Sequence, residues 1–588
     1  MQPIEAPIHE GAITACAFLG GSGELATASI EGAVVVWDVA AGRPTRRFRL
    51  HRGPIMALAW DAPRGRLISA GRDRRIVSCD PESGDAVGLG EHPAGLYALA
   101  IAPGGGVLAS GGYGGEIRLW RLPDGQPLGA LSGHDGAVLD LDFLDDARVV
   151  SVGRDYQVVV WHVARSAECV RTAGHRRWAM RVRASADGRE IYSAGEDGQV
   201  CGWAADSGAR LWRKQFQSPV WGLERSADGA ALIVGAGGLA ARLDLGSEGP
   251  SEPQPLASET ARAICRSGSG LMALGADKLI LYRADRPQTP LRRLSLGAPL
   301  YASVAAVRRS GERADQIDAV MTRNSGQIDL DLSGARRALR ARHQGIAFAS
   351  CVVAPSRFAT VGFDGMIHLL NAADGELARS MDHGGLVFSV SASSDGSRLL
   401  AVGSDALSLW DTASGERVWG GEGLGVGFHV WGALAPDASF ALAVGEGPTL
   451  HSWRFTADGA QRERLALDFG RLIGTCGLMA VASLDPTSAA VATAAGEVRR
   501  VDLATGRSSL LHAAHESGVR AMTLAPDGRR LLSFSENGVT RIYDLWAGRD
   551  CTPAAIAEAV VPAACFTPQG DLVWVDGAGR LHHLAPEA

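Results

Sequence analysis

The sequence predicts an all-β chain of two seven-bladed β-propellers, fourteen four-stranded antiparallel blades in all, and three observations carry the prediction. A histidine recurs at His9, His51, His92, His134 and His175, at intervals of 42, 41, 42 and 41 residues. Behind each histidine one order of residues follows: an apolar alternating run, a Gly-rich turn, a Ser/Thr-bearing run, an Asp or Gly turn, and a closing Trp. In the two best copies His134 leads to Ser151, Asp155 and Trp161, and His175 to Ser193, Asp197 and Trp203. The steps are 17, 4 and 6 residues in the first and 18, 4 and 6 in the second. A period near 41 residues is that of one four-stranded blade, and 75 glycines suit many short strands joined by tight turns.

Each element of a unit has its own signal. Val138-Leu139-Asp140-Leu141-Asp142-Phe143 alternates as a strand, the Ser/Thr run gives a second, the run ending at Trp a third, and a fourth returns to the next His. Later copies are more worn but keep register. Val220 to Leu223 opens a sixth unit, Ala261 to Tyr282 forms a short seventh, and Leu300 to Leu332 an eighth. His343 with Thr360 and Asp364, and His383 closing at Trp410-Asp411, mark the ninth and tenth. Gly427 to Trp453 and Leu472 to Val501 are worn, His515 with Ser533, Asn537 and Tyr543 is clear, and Ala559 to Leu584 is the last. Fourteen units over 588 residues give 42 each.

Propellers close with about four to eight blades, so fourteen units predict two rings, residues 1–288 and 289–588. The seam is expected near Asp285-Arg286-Pro287-Gln288-Thr289-Pro290, where two prolines interrupt pairing. Closure is expected to use Pro3 to Ile8 for blade seven and Leu291 to Leu296 for blade fourteen. An interleaved closure, with the N-terminus joining the last blade, is the alternative.

Composition narrows the function classes. With 46% hydrophobic and 21% charged residues the chain is globular. A net charge of −6 excludes a nucleic-acid backbone as the main partner, which needs a clear basic field. The Arg clusters at Arg46, Arg47, Arg49 and Arg52, at Arg72, Arg74 and Arg75, and at Arg336, Arg337, Arg340 and Arg342 read as solvated edges and loops, with a local anionic contact as the alternative. Lysine is confined to Lys214 and Lys278, a bias expected of a GC-rich bacterial genome. Met1 to Glu5 lacks the pattern of a secretory leader, and no apolar run of about 18 residues occurs, so a cytoplasmic location without membrane contact is expected. Nine scattered cysteines without a C-x-x-C pair read as core residues in a reducing compartment, and no metal or cofactor is expected.

Gly133-His134, Gly174-His175, Trp37-Asp38 and Trp410-Asp411 carry a resemblance: over essentially its whole length the sequence resembles the tryptophan-aspartate (WD) repeat β-propellers. The resemblance implies a buried hydrogen-bonded set of His, Ser/Thr, Asp and Trp in each blade. It applies fully to His134, Ser151, Asp155 and Trp161 and to His175, Ser193, Asp197 and Trp203. Blade one offers His9, Thr27, Glu31 and Trp37. Blade two has Cys79 in the Trp place, blade three Gly114 in the Asp place, and blade thirteen Asn537 and Tyr543, which puts the network in those blades in doubt. Recurrence at the blade period marks these sets as structural, not as catalytic triads.

In such families the narrow top face around the channel is a common contact surface, reached by side chains three and five residues after the His. In the first ring these include Met56, Tyr97, Leu139, Trp178, Met180 and Trp221; in the second, Phe348, Phe388 and, across a one-residue blur, Phe428 and Trp431. An exposed apolar rim of this kind suits protein or peptide partners. The reading is a non-enzymatic scaffold or adaptor, by analogy a regulatory subunit of a signalling or defence assembly with a protease or NTPase. The alternative is a small-molecule or nucleotide sensor, with Arg262 or Arg520 pairing an anion; polar groups converging in one channel would favour it.

Overall fold

The computed structural model describes residues 9, 13–20, 23–226, 228–236, 239–246, 249–257, 263–266, 271–275, 278–283, 286–295, 301–308, 317–323, 327–332, 335–344, 346–403, 406–422, 429–445, 449–456, 459–467, 478–493, 496–512, 515, 518–535, 539–557, 561, 563–576 and 580–585. The chain divides into two compact units, Met1–Gly297 and Ala298–Ala588. Among the described residues fourteen antiparallel sheets follow one another in sequence; twelve have four strands, the sixth five and the fourteenth three.

In the first unit, blades 1 to 7 begin with the strands Ile13–Phe18, Ile55–Asp61, Leu96–Ile101, Val138–Asp145, Ala179–Ala184, Val220–Arg225 and Ala263–Arg266. Each lies beside the next, and Ile13–Phe18 also lies beside Ala263–Arg266, so the seven innermost strands close a ring. Blades 8 to 14 begin with Tyr301–Arg308, Ala347–Ala354, Val387–Ala392, His429–Leu434, Leu478–Asp485, Val519–Leu524 and Ala563–Phe566. They close in the same way, the last beside the first. The apolar cores lie between blade faces. Ile117 and Leu119 of blade 3 pack with Val138, Val149 and Trp161 of blade 4, and across the closure Ile13 and Trp37 pack with Cys265 and Ala273.

Closure differs from expectation. Residues Leu291 to Ser295 belong to the strand Arg286–Ser295, which pairs with Lys278–Arg283 as the fourth strand of blade 7, not of blade 14. Pro287 and Pro290 are accommodated because this is an edge strand, with one side outside any ladder, and because the register shifts twice at Leu281 to Arg283. Residues 3–8 lie outside the described residues. Among the described residues, closure in both units is an inter-blade contact between first and last blades.

The buried His sets tie the loop that enters a blade to its second and third strands and the turn between them. His134 bonds Asp155 Oδ2 through Nδ1 at 2.8 Å and Ser151 Oγ through Nε2 at 2.7 Å, and the Trp161 indole donates to the same Oγ at 2.7 Å. His175, Asp197, Ser193 and Trp203 repeat this at 3.0, 2.8 and 2.8 Å. Burial pushes the Asp155 and Asp197 carboxyls up, but the hydrogen bonds and charge of their histidines, with backbone N–H donors, hold both below the usual carboxylate range. The glycine two residues before the Asp leaves room for the pair. A Cβ on Gly195 would stand 2.4 Å from His175 Nδ1 and 2.8 Å from Asp197 Oδ1.

Substituted blades keep or lose the set for visible reasons. In blade 1, Glu31 and Thr27 still serve His9, at 2.9 and 2.8 Å, and Trp37 donates to Thr27. Blade 2 keeps His51–Asp73 and His51–Ser69, both at 2.8 Å, without the Trp. In blade 9, Leu370 takes the Trp place, and His368 stacks on His343 with centroids 4.4 Å apart. In blade 10 the hydroxyl has moved to the third strand: Ser408 bonds both His383 and the Trp410 indole at 2.6 Å. Asn537 of blade 13 lies outside the described residues; His515 still meets Ser533 at 2.9 Å.

Blade 3 loses the set. Ser110 serves Trp120 at 2.8 Å, but His92 Nε2 is buried without a partner and burial pushes the His92 imidazole down to about 4. A Cβ on Gly114 would meet only Ala94 Cβ, at 3.8 Å. Gly114→Asp therefore supplies the missing carboxylate and is expected to raise stability at pH 7 by about 1 kcal/mol in chemical denaturation. Because His92 titrates low in the fold, wild type loses stability as pH falls below the unfolded value of about 6.5. The variant is expected to raise the His92 titration seen by NMR and to blunt that loss.

Candidate functional site: the top rims and the first channel

A one-residue bulge sits at the same place in the innermost strand of most blades. Register shifts between Ile55 and Ala57, Val138 and Asp140, Ala179 and Arg181, Val220 and Gly222, Ala347 and Ala349, and Val387 and Ser389. The residue left out of the ladder is Met56, Leu139, Met180, Trp221, Phe348 or Phe388; in blade 3 it is Tyr97. These are the residues expected on the rim, five places after the opening His or its equivalent, and a bulge is the device that re-aims a side chain. In blade 11 the bulge residue is Val430, and Trp431 pairs with Val444, which resolves the blur there.

Their exposure is not as expected. Leu139, Trp178, Met180, Trp221 and Phe388 are buried, between 5% and 9% exposed; Met56, Tyr97, Phe348 and Trp431 are half-buried. The reason is crowding, since seven innermost strands converge on one axis and side chains at their tips meet across blades.

In the first unit the tips form a cation–π cluster. Tyr97 and Tyr113 lie 4.8 Å apart; the Arg72 guanidinium stands 5.4 and 5.7 Å from the two rings, and that of Arg154 5.4 Å from each and 4.8 Å from Trp178. Both arginines also donate to the Tyr97 hydroxyl, at 3.3 and 3.0 Å. In the second unit Phe348 meets Phe363, Phe388 and Trp431 at 5.3, 5.8 and 6.2 Å. Sequence reasoning missed Tyr113, Arg154 and Phe363 as rim residues and read Arg72 as part of a solvated cluster, whereas it stacks on the two tyrosines. All four directly follow the last glycine of the second strand, a regularity visible in the repeat. Arg262, Phe428 and the Arg520 side chain lie outside the described residues.

Below the first rim lies a cavity of about 330 Å³, lined by the innermost strands of all seven blades. Asp140, Asp142, Arg181 and Arg183 face it. Arg183 bonds Asp140 at 2.8 Å and Glu224 at 3.0 Å, lacing blades 4, 5 and 6. Asp140 also accepts the Val182 N–H at 3.0 Å and Asp142 the Ala184 N–H at 2.9 Å, so acids of blade 4 cover edge donors of blade 5. Burial pushes the Asp142 carboxyl up to about 6, against the pull of Arg183, and Glu224 and Asp140 push the same way. Ser389 and Ser391 lace blade 10 to blade 11 in the same manner, accepting the Gly432 and Leu434 N–H groups at 2.9 Å.

The His sets are not a reactive centre, because Ser151 and Ser193 are fully buried and each hydroxyl is held by a His and a Trp. Among the described residues one group, His343, Asp364 and His368, has metal-like spacing. Both His343 nitrogens are engaged, by Asp364 at 2.9 Å and Thr360 at 3.1 Å, and burial pushes His368 down to about 4, so the group reads as part of the blade network. No helix of the described residues is long and apolar enough to cross a membrane.

The fold and the His sets define an all-β protein of WD-type blades. The family description "WD domain, G-beta repeat" matches residues 87–121, 125–162 and 508–544, so the chain carries WD repeats in both units. It is similar to cilia- and flagella-associated protein 52 of Chlamydomonas reinhardtii, 27% identical over 28% of this chain and 27% of that one. It is also similar to apoptotic protease-activating factor 1 of Rattus norvegicus, 34% over 21% and 11%, and to guanine nucleotide-binding protein subunit beta-1 of Caenorhabditis briggsae, 26% over 26% and 46%. The chain thus spans less than half the length of each.

The raised Asp142 titration has a signed consequence. Its folded value lies above the unfolded value of about 3.9, so the fold takes up the proton between the two and loses stability as pH rises through about 6. Asp142→Asn keeps an acceptor for the Ala184 N–H. It is expected to be more stable than wild type at pH 8 by on the order of 1–3 kcal/mol, with the gap closing towards pH 5 in denaturation curves.

Proposed function

We propose that this protein is a non-enzymatic interaction scaffold that docks protein or peptide partners on the top rims of its two rings, residues 1–297 and 298–588. The carrying observation is that one pair of repeat positions, the bulge residue and the residue after the second-strand glycine, builds an aromatic cluster in each unit. In the first it is studded with Arg72 and Arg154; in the second it is apolar. Preorganised aromatics and arginines offer large contact area at low entropic cost. Burial of Trp178 and Trp221 moves the contact surface outward, to half-buried Tyr113, Arg154, Phe348 and Trp431.

Two of the similar proteins are by name a protease-activating factor and a subunit of a guanine nucleotide-binding protein. Both names describe proteins acting through others, which supports a regulatory or adaptor role in a larger assembly. Capture from the native host with quantitative mass spectrometry tests the reading. Tyr113→Ala with Arg154→Ala, or Phe348→Ala with Trp431→Ala, is expected to lower recovery of at least one partner tenfold while the thermal midpoint stays within a few degrees. Equal recovery by both pairs would remove the rims as the docking surface.

A further inference from the structure

We infer that the channel of the first unit is a binding site for a small zwitterion, a free α-amino acid or dipeptide, whose carboxylate meets Arg181 and whose ammonium meets Asp142. This site lies below the first rim, whose Met56, Tyr97 and Leu139 also line the cavity, and goes beyond the scaffold reading.

The cavity and its charges have one origin in the repeat. Six and eight residues after the opening His, blades 2 and 3 carry Ala57 and Ala59, and Ala98 and Ala100; blades 4 and 5 carry Asp140 and Asp142, and Arg181 and Arg183. Of these alanines Ala57, Ala59 and Ala100 line the cavity of about 330 Å³ and leave the room, and the charged pairs line one side of it. That is at the small end of ligand pockets and suits an amino acid or dipeptide. Leu223, Ile264 and Trp60 supply apolar lining for a side chain.

The four charges are not equally satisfied. Arg183 is held by Asp140 and Glu224. Arg181 has one hydrogen bond, donated to the Met180 carbonyl at 2.9 Å, and no carboxylate within 4.0 Å among the described residues. Asp142 accepts two backbone N–H groups, from Ala184 and Phe143, and has no cation within that distance among the described residues. Burial lowers the Arg181 pKa and raises that of Asp142, outweighing the pull of Asp140 on the one and of Arg183 on the other. One wall thus carries a cation and an anion that have no salt-bridge partner within 4.0 Å among the described residues and feel Asp140 and Arg183 only at longer range, and a molecule bearing both opposite charges pairs with both at once. A lone carboxylate or a lone amine satisfies only half of it.

The test is calorimetric titration of the full chain with L-leucine and with leucyl-leucine, beside hexanoate and hexylamine, which carry one charge each. Saturable binding of at least one zwitterion is expected, at least tenfold tighter than either single-charge probe. Arg181→Met and Asp142→Asn are each expected to weaken it tenfold or more, with Arg181→Lys recovering part of the loss. Thermal midpoints near wild type keep misfolding apart from loss of the site. Lack of saturable binding by both zwitterions, equal binding of a single-charge probe, or unchanged affinity in both variants would each overturn the inference.

Discussion

Everything else in the molecule depends on closing seven innermost strands around one axis. A four-stranded sheet leaves two apolar faces, and a ring lets each face pack on a neighbour, as Leu119 on Val149 or Ile13 on Cys265. The innermost strands are edges, whose N–H groups would stay unpaired. Side chains of the preceding blade cover some of them: Asp140 and Asp142 in the first unit, Ser389 and Ser391 in the second. The bulge near the start of most of these strands belongs to the same geometry. It re-aims one residue in each blade that has it, and so places the rim clusters.

The His sets answer a different need, joining the strands of one blade through a single buried imidazole. Their variation is informative. Glu31 replaces Asp at the cost of one methylene, and Ser408 supplies from the third strand the hydroxyl that Ala401 cannot supply from the second. Where no residue compensates, as at Gly114, the imidazole is simply desolvated. The set is thus an increment of stability on a fold held mainly by blade packing.

Much of this was legible in the sequence because a period is a long-range constraint written locally. The steps from His134 to Trp161 and from His175 to Trp203 predicted the blades and the buried sets. Position five after the His, where rim residues were expected, is the bulge residue of its blade. Their burial was not legible, because how far Trp178 or Leu139 reaches across the axis depends on six other blades. Closure was misread from Pro287 and Pro290, which end a central strand but suit an outer one. Charges at positions six and eight in blades 4 and 5 stood in plain view among alanines; only the ring brings Asp140, Arg183 and Glu224 together.

Each ring closes by contact between its own first and last blades. Thermal unfolding of residues 1–297 produced alone, followed by near-ultraviolet circular dichroism, tests this most directly. A single cooperative transition with native aromatic signal is the result the account predicts. A chain without fixed aromatic signal, regaining it only when residues beyond 297 are added, would contradict it.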